Sequence, residues 1–172
     1  MRVTWKNTHK AAEFASFVAV VVAIGVALFE YYSNAHQTRV QRSIDLLSMF
    51  NAPELRETRL AIEKPWLEYD LAALNALKSN VRALEHLSEI IVADNPELIH
   101  SLTYIVNLVD MMGLCVQEEI CDKAVIERQI GGYVRNIYCL YGTQLERLRE
   151  AKLLPDLGRG MAHISEGTDC VG

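Results

Sequence analysis

The sequence has few residues that interrupt or cross-link a chain, and it has no excess of basic charge. Its 172 residues include 4 cysteines, 4 prolines and 9 glycines, and the formal net charge is −5. An acidic chain gains nothing from phosphate neutralisation, which argues against a nucleic-acid binder. With 51% apolar and 23% charged residues, the chain is also too apolar to be wholly disordered.

Catalytic and metal-binding motifs are missing as well. The sequence contains no Walker loop, nucleophile elbow or dinucleotide fingerprint. No two histidines lie three or four residues apart, so no helix face offers a histidine pair for zinc. The histidines are His9, His36, His86, His100 and His163. The sequence therefore predicts no catalytic residue, no metal site and no cofactor, and we expect the protein not to be an enzyme.

One long hydrophobic run lies near the N-terminus. Residues 11–32 carry charge only at Glu13 and Glu30, and Tyr31 and Tyr32 form an aromatic end. At about 1.5 Å per residue, a helix of this length spans roughly 33 Å, close to the hydrocarbon thickness of a bilayer. We interpret the run as a single transmembrane helix, because a polytopic fold would need several such runs.

A cleaved signal peptide is the main alternative for this run. Arg2, Lys6 and Lys10 form a basic start, and Ser33-Asn34-Ala35 offers small residues at a cleavage position. However, the run is longer than the usual apolar region of about 7 to 15 residues, and helical periodicity continues beyond it without proline or glycine. An uncleaved anchor is preferred over a signal peptide, and both over a buried helix of a soluble protein.

The orientation of the anchor depends on weak signals. Three basic residues precede it and two, Arg39 and Arg42, follow it closely, so charge hardly decides the topology. Cys115, Cys121 and Cys139 lie among apolar residues, a pattern typical of free buried thiols in a reducing compartment. We therefore expect an inner-membrane protein with its larger domain in the cytoplasm.

Small residues recur at every fourth position of the predicted anchor. These are Ala11, Ala15, Ala19, Ala23 and Ala27, here called the alanine stripe. Small residues at this spacing let helix backbones approach closely in lipid, which predicts self-association. The alternative is that alanine is simply common in such helices.

The rest of the chain predicts an all-α fold, in which the membrane helix continues as a stalk into a small helical bundle. No segment alternates polar and apolar residues as a strand does. Helix breaks are expected at Asn51-Ala52-Pro53, at Lys64-Pro65, at Asp94-Asn95-Pro96 and at Gly131-Gly132. Four segments follow: a short tail over 1–10, a transmembrane helix over 11–32, a helical domain over 33–154 and a flexible tail over 155–172.

Two further helix starts are predicted from capping residues. Asp70 is expected to cap a long helix that runs past Val81, and Asp122 to cap a helix that carries Val125 and Ile130. A docking peptide around Met161–Ile164 is the alternative to a wholly mobile C-terminal tail.

The order of these features resembles the bacterial domain-of-unknown-function 4760 family. Three stretches carry the resemblance: residues 50–56 with Arg59, residues 104–110, and residues 122–138 with Gly131 and Gly132. With the anchor they cover about residues 10 to 150. The resemblance implies one N-terminal membrane helix followed by a cytoplasmic helical domain, and it implies no catalytic chemistry.

A polar set stands out on an otherwise apolar helix. Thr103, Asn107 and Asp110 are spaced to share one face, and we expect them to pair with Arg59 or Arg135. A buried carboxylate without a partner would be costly. The set predicts a structural network that fixes helix register, with a ligand pocket as the alternative.

The predicted function is interaction at a membrane. Beyond the anchor and the N-terminal tail the chain carries 14 basic and 20 acidic side chains, a net charge of −6 that disfavours nucleic acid. We expect a sensor or scaffold that contacts the lipid bilayer, a protein partner and further copies of itself. The alternative is a membrane effector of antiphage defence, whose oligomers form a pore or perturb the bilayer.

Overall fold

The computed structural model describes residues 5–69, 80–151 and 154–165, and within these ranges the side chains from Phe14 onward except that of Val81. These ranges contain helices and no strand, which confirms the all-α prediction. The helices are α1 (Trp5–Phe50), α2 (Pro53–Leu67), α3 (Val81–Asp94), α4 (Leu98–Gln117), α5 (Lys123–Glu150) and α6 (Arg159–Ile164).

The chain divides into two units, one ending at Thr38 and the other beginning at Arg39, a few residues after the boundary expected at Tyr32. In the first unit, every described side chain from Phe14 to Tyr32 is exposed, including the large apolar ones. The segment Phe14–Phe50 is long and apolar enough to cross a membrane, and none of its most apolar window is buried. Its length and composition are compatible with the predicted anchor.

Proline and capping residues define most helix boundaries in the second unit. Pro53 occupies the first turn of α2, where its missing N–H costs nothing. Pro65 does not end α2 as expected; the helix includes it and continues to Leu67. Asn80 caps α3, its side chain accepting a hydrogen bond from the Ala83 N–H, whereas the predicted start at Asp70 lies outside the described residues.

Helix α4 is the core helix of the second unit, packing against α2, α5 and α6. Its most buried residues include Ile105, Val106, Val109 and Met112, each with no exposed surface. By length and composition α4 would also pass as a membrane span, so the N-terminal run is not the only charge-poor helix. The extent of its burial against other helices identifies α4 as part of a packed core.

Helix α5 is continuous from Lys123 to Glu150, and the predicted break at Gly131-Gly132 is wrong. The Asp122 side chain caps the helix, as predicted, by accepting a hydrogen bond from the Val125 N–H at 3.0 Å. Each helical glycine costs only about 1 kcal/mol, which the buried neighbours Ile130 and Val134 offset.

A hydrogen-bonded aromatic pair links α2 to α5 inside the core. Trp66 donates its indole N–H to the Tyr141 hydroxyl at 2.6 Å, and that hydroxyl donates to the Ile62 carbonyl at 3.3 Å. The rings meet edge to face with centroids 6.0 Å apart. Burial raises the pKa of Tyr141 to about 12, against the lowering effect of the Trp66 hydrogen bond. Tyr141 therefore stays neutral with its hydroxyl satisfied.

The prediction of free thiols is wrong. Cys115 and Cys121 form a disulfide across the α4–α5 corner, and Cys139 is also disulfide-bonded. The corner brings the first pair together because the N–H groups of Ile120 and Cys121 both donate to the Cys115 carbonyl. Ser43 of α1 packs on the same corner and accepts a hydrogen bond from the Asp122 N–H at 2.8 Å.

The C-terminal segment is docked over residues 154–165, which corrects the expectation of a flexible tail there. It forms α6, whose Met161 and Ile164 are buried, so the docking-peptide alternative holds for these residues. Helix α6 crosses α4 through glycines: a Cβ on Gly113 would lie 2.2 Å from the Gly160 carbonyl oxygen. No side chain fits between the two backbones, a closeness that the sequence pattern did not reveal. Residues 166–172 of the expected tail lie outside the described residues.

Candidate functional site

A cleft opens where α1 ends and α2 begins, against the first half of α5. Its volume is about 330 Å³, near the lower limit of small-molecule pockets. The short turn at Asn51 and Ala52 brings the end of α1 close to the first turns of α2. The cleft is lined by Phe50, Asn51, Arg56, Arg59, Leu60, Glu63, Gln129, Ile130 and Tyr133.

Arg59 is held in a defined position within this cleft. Its guanidinium lies over the Phe50 ring, 4.5 Å from the centroid, and its Nη1 donates to Asn51 Oδ1 at 3.4 Å. Phe50 in turn contacts Tyr133 edge to face, with centroids 5.4 Å apart. The contact with the Phe50 ring and the hydrogen bond to Asn51 restrict the Arg59 side chain in the free protein.

Arg56 and Glu63 lie on the same side of α2 as Arg59, one turn before it and one turn after it. Residues three and four apart on a helix are neighbours on its surface. Arg56 is exposed, and within the described ranges its side chain makes no hydrogen bond and no ion pair. Glu63 is exposed too, and its charge acts on Tyr133. The helix thus presents two positive groups and one negative group in a row.

Tyr133 contributes a buried hydroxyl that has no hydrogen-bond partner. Burial raises the pKa of this phenol well above its usual value, the Glu63 carboxylate raises it further, and Arg59 lowers it. The phenol is therefore neutral and keeps a proton to donate. An unpaired buried hydroxyl costs about 1–3 kcal/mol, so the fold carries a penalty at this position.

The cleft offers binding groups rather than a catalytic set. Arg56, Arg59, Gln129 and Tyr133 supply hydrogen-bond donors, while Glu63 supplies an acceptor. No described residue places a nucleophile beside a general base there, and the described residues contain no group of three metal-ligating side chains. The arrangement can recognise an anion and hold it against an apolar wall.

The predicted polar set does not form one network. Asn107 is exposed and Thr103 half-buried, and Asp110 pairs with neither Arg59 nor Arg135. Arg59 belongs to the cleft, and Arg135 is exposed on α5 without a side-chain hydrogen bond or ion pair in the described part of the chain. The expected pairing of the set with these arginines is therefore wrong.

Asp110 instead holds the start of α6. Its Oδ2 accepts from the Gly158 N–H at 2.6 Å and its Oδ1 from the Met161 N–H at 2.9 Å. Burial raises the pKa of Asp110, while backbone hydrogen bonds from Met161, Gly158 and Gly160 and the charge of Arg149 lower it. Asp110 thus acts alone rather than in the predicted set, and its partners come from the segment expected to be mobile.

The alanine stripe lies in the N-terminal unit. The side chains of Ala15, Ala19, Ala23 and Ala27 are exposed, and that of Ala11 lies outside the description. Self-association through the stripe stays a prediction.

The pattern of one sequence family matches residues 17–158, a span that contains the candidate cleft and most of the second unit. The chain belongs to DUF4760. This family is described as a domain of unknown function. No curated protein and no solved structure matches the chain. Seven of the nine lining residues of the cleft lie in two stretches, 50–59 and 122–138, that carry the resemblance to DUF4760. These two stretches were therefore the only indication of the cleft in the sequence. Neither stretch alone shows that Arg56 lies near Tyr133.

Proposed function

We propose that this DUF4760 protein is a single-pass membrane sensor or scaffold that acts by binding rather than by catalysis. The observation that carries the proposal is the contrast between its two units. The N-terminal helix exposes a continuous apolar surface, whereas the second unit buries its own apolar residues around α4. Such a helix gains its stability from lipid or from other helices.

Self-association through the alanine stripe is part of this proposal. Because lipid removes the hydrophobic drive between helices, close backbone packing at small residues provides the attraction. Crosslinking in membranes is expected to yield oligomers that Ala19→Ile and Ala23→Ile weaken. Val21→Ile, on the opposite face of the helix, serves as a matched control that leaves the crosslinks unchanged. Equal crosslinking in all variants would contradict self-association through the alanine stripe.

The side of the inner membrane on which the second unit lies is also a proposal. The cytoplasmic location depended on free thiols, and the bonded Cys115, Cys121 and Cys139 remove that argument. Disulfides persist in oxidising compartments, and the three basic residues before the helix suit an inside N-terminus. We therefore propose that the second unit faces the oxidising side.

Thiol labelling in intact cells tests this orientation. A permeant maleimide added before lysis is expected to label the cysteines only after reduction, and a C-terminal alkaline phosphatase fusion is expected to be active. Immediate labelling together with an inactive fusion would instead support the cytoplasmic location.

Expression of the protein in cells distinguishes a role that depends on a protein partner from a role in perturbing the membrane. A stable, non-toxic membrane protein that crosslinks to a defined neighbour supports the sensor or scaffold. Toxicity with dye influx would contradict it and support the alternative, an effector of antiphage defence.

A further inference from the structure

We propose that the cleft between the end of α1, α2 and α5 binds a small organic oxyanion, in which one phosphate or carboxylate group is attached to an apolar or aromatic body. The inference rests on the proposed sensor role, because it names the class of ligand that the second unit would detect. Four properties of the cleft support it.

The first property is the local sign of charge. Beyond the anchor the chain has a net charge of −6, yet the ionisable side chains of α2 in the cleft are Arg56, Arg59 and Glu63, a net charge of +1. A concave surface whose sign opposes that of the surrounding domain concentrates anions. An acidic domain that keeps two arginines beside one cleft is selective for anions at that position.

The second property is the geometry of the two arginines. Arg59 is fixed between the Phe50 ring and Asn51, so little side-chain entropy is lost when it binds. Arg56, one turn earlier, has no competing partner among the described residues. Guanidinium groups present paired N–H donors that match the two oxygens of a carboxylate or phosphate. Two of them on one helix face favour an oxyanion over a spherical ion.

The third property is the unpaired hydroxyl of Tyr133. Its oxygen is buried and its proton has no acceptor in the free protein. An oxyanion in the cleft supplies such an acceptor once the Tyr133 side chain turns its hydroxyl towards the cleft, and hydrogen bonds to charged groups are worth more than those to neutral ones. Ligand binding would thus remove a penalty that the free fold carries.

The fourth property is the apolar wall and its limit. Phe50, Leu60 and Ile130 line the cleft beside the polar groups, and a volume of about 330 Å³ suits a ligand of modest size. Glu63 repels a second anionic group, so a polyanion such as a nucleic-acid strand fits poorly. The cleft is complementary to one oxyanion group with an apolar body.

Isothermal titration of the full-length protein in detergent tests the proposal with four probes. Phenyl phosphate and benzoate combine a ring with an oxyanion, inorganic phosphate has only the oxyanion, and benzyl alcohol has only the ring. We expect one or both of the first two to bind more tightly than either of the last two. The preference between them separates phosphate from carboxylate ligands. Absence of binding by both ring-bearing anions, or equal binding of benzyl alcohol, would overturn the proposal.

Two arginine variants locate the binding. Arg56→Ala is expected to weaken the preferred probe at least about tenfold, the loss of one charged hydrogen bond. Arg135→Ala is the matched control, because Arg135 is also exposed and lies outside the cleft. We expect it to leave the affinity unchanged. Equal affinities of Arg56→Ala and the parent would contradict the site.

Tyr133→Phe separates ligand recognition from folding. The variant lacks only the unpaired hydroxyl, so it should fold at least as well as the parent while binding the preferred probe several-fold more weakly. Unchanged affinity would show that the hydroxyl plays no part and would overturn this step of the argument. Because the titrations need neither a membrane nor a partner, their failure is distinguishable from failure of the proposed sensor role.

Discussion

Two clusters of polar residues in the second unit differ in how completely their hydrogen-bonding groups are paired. At the α4–α6 contact, both carboxylate oxygens of Asp110 accept backbone N–H groups, and the Gly160 backbone lies close against the backbone of Asp110. In the cleft, the Tyr133 hydroxyl is unpaired, and Arg56 has no partner in the described ranges. Both oxygens of the first cluster are engaged in holding α6, whereas the second cluster has unpaired donors.

This difference shows how to assign roles to polar residues in a domain without an established activity. A satisfied network contributes to stability, because losing one partner strands the others. An unsatisfied set costs stability in the free protein, a cost typical of binding sites. Mutation should therefore have opposite consequences in the two places, and the following predictions test this in order of expected effect.

Asp110→Ala is expected to have the largest effect. It strands the N–H groups of Gly158 and Met161, and hydrogen bonds to a charged acceptor are worth about 1.5–3 kcal/mol each. We expect the free energy of unfolding to fall by about 3 kcal/mol in urea titrations of the detergent-solubilised chain. Asn107→Ala on the same helix is the control and should change stability by less than about 0.5 kcal/mol. A loss of similar size in both variants would contradict the role of Asp110.

Gly113→Ala should have the next largest effect. The added Cβ would lie 2.2 Å from the Gly160 carbonyl oxygen, so α6 must move away from α4. Overpacking of this kind costs about 1–3 kcal/mol. Gly132→Ala is a matched control, because a Cβ there meets nothing within 4 Å and alanine favours the helix. Limited proteolysis should cut near Gly158 sooner in Gly113→Ala; unchanged proteolysis would contradict the close crossing.

Tyr141→Phe tests the paired phenol of α5. It removes the acceptor of the Trp66 indole N–H and the donor to the Ile62 carbonyl, both inside the core. Leaving the buried Trp66 indole N–H unpaired costs about 1–3 kcal/mol, and the loss is measurable as a lower melting temperature in near-ultraviolet circular dichroism. A variant as stable as the parent would show that the hydrogen-bonded pair contributes nothing.

The pH dependence of Asp110 should be the smallest effect. Its pKa is raised by burial in the folded chain, so the folded state takes up a proton at a higher pH than the unfolded state does. The contribution of Asp110 to the free energy of unfolding therefore falls as the pH rises from the pKa of the unfolded state to the higher pKa of the folded state. Above the folded-state pKa this contribution is constant. Relative to Asp110→Asn, the parent should gain stability on acidification through this interval. A relative loss of stability would contradict the raised pKa.

Local signals predicted the parts of the fold that depend on neighbouring residues. Pro53 in the first turn of α2 and the Asp122 cap are properties of a few consecutive residues, and both were confirmed. The break predicted at Gly131-Gly132 was wrong, because burial of the flanking Ile130 and Val134 outweighs the low helix propensity of glycine.

Contacts that no sequence periodicity encodes account for most of the remaining errors. The docking of α6 depends on Gly113 and Gly160 meeting across 47 residues of sequence, which no periodicity encodes. The Cys115–Cys121 bond depends on the shape of the α4–α5 corner. The cleft requires three segments to converge, so Arg59 was predicted to pair with Asp110 when its neighbours are Phe50 and Asn51.

The most direct test of the central claim is the unfolding free energy of Tyr133→Phe, measured without ligand and with saturating phenyl phosphate or benzoate. We predict that the unliganded variant is at least as stable as the parent, because it loses only an unpaired hydroxyl. We also predict that the ligand stabilises the variant less than the parent. An unliganded variant destabilised as much as Tyr141→Phe, with an undiminished gain from the ligand, would contradict the account.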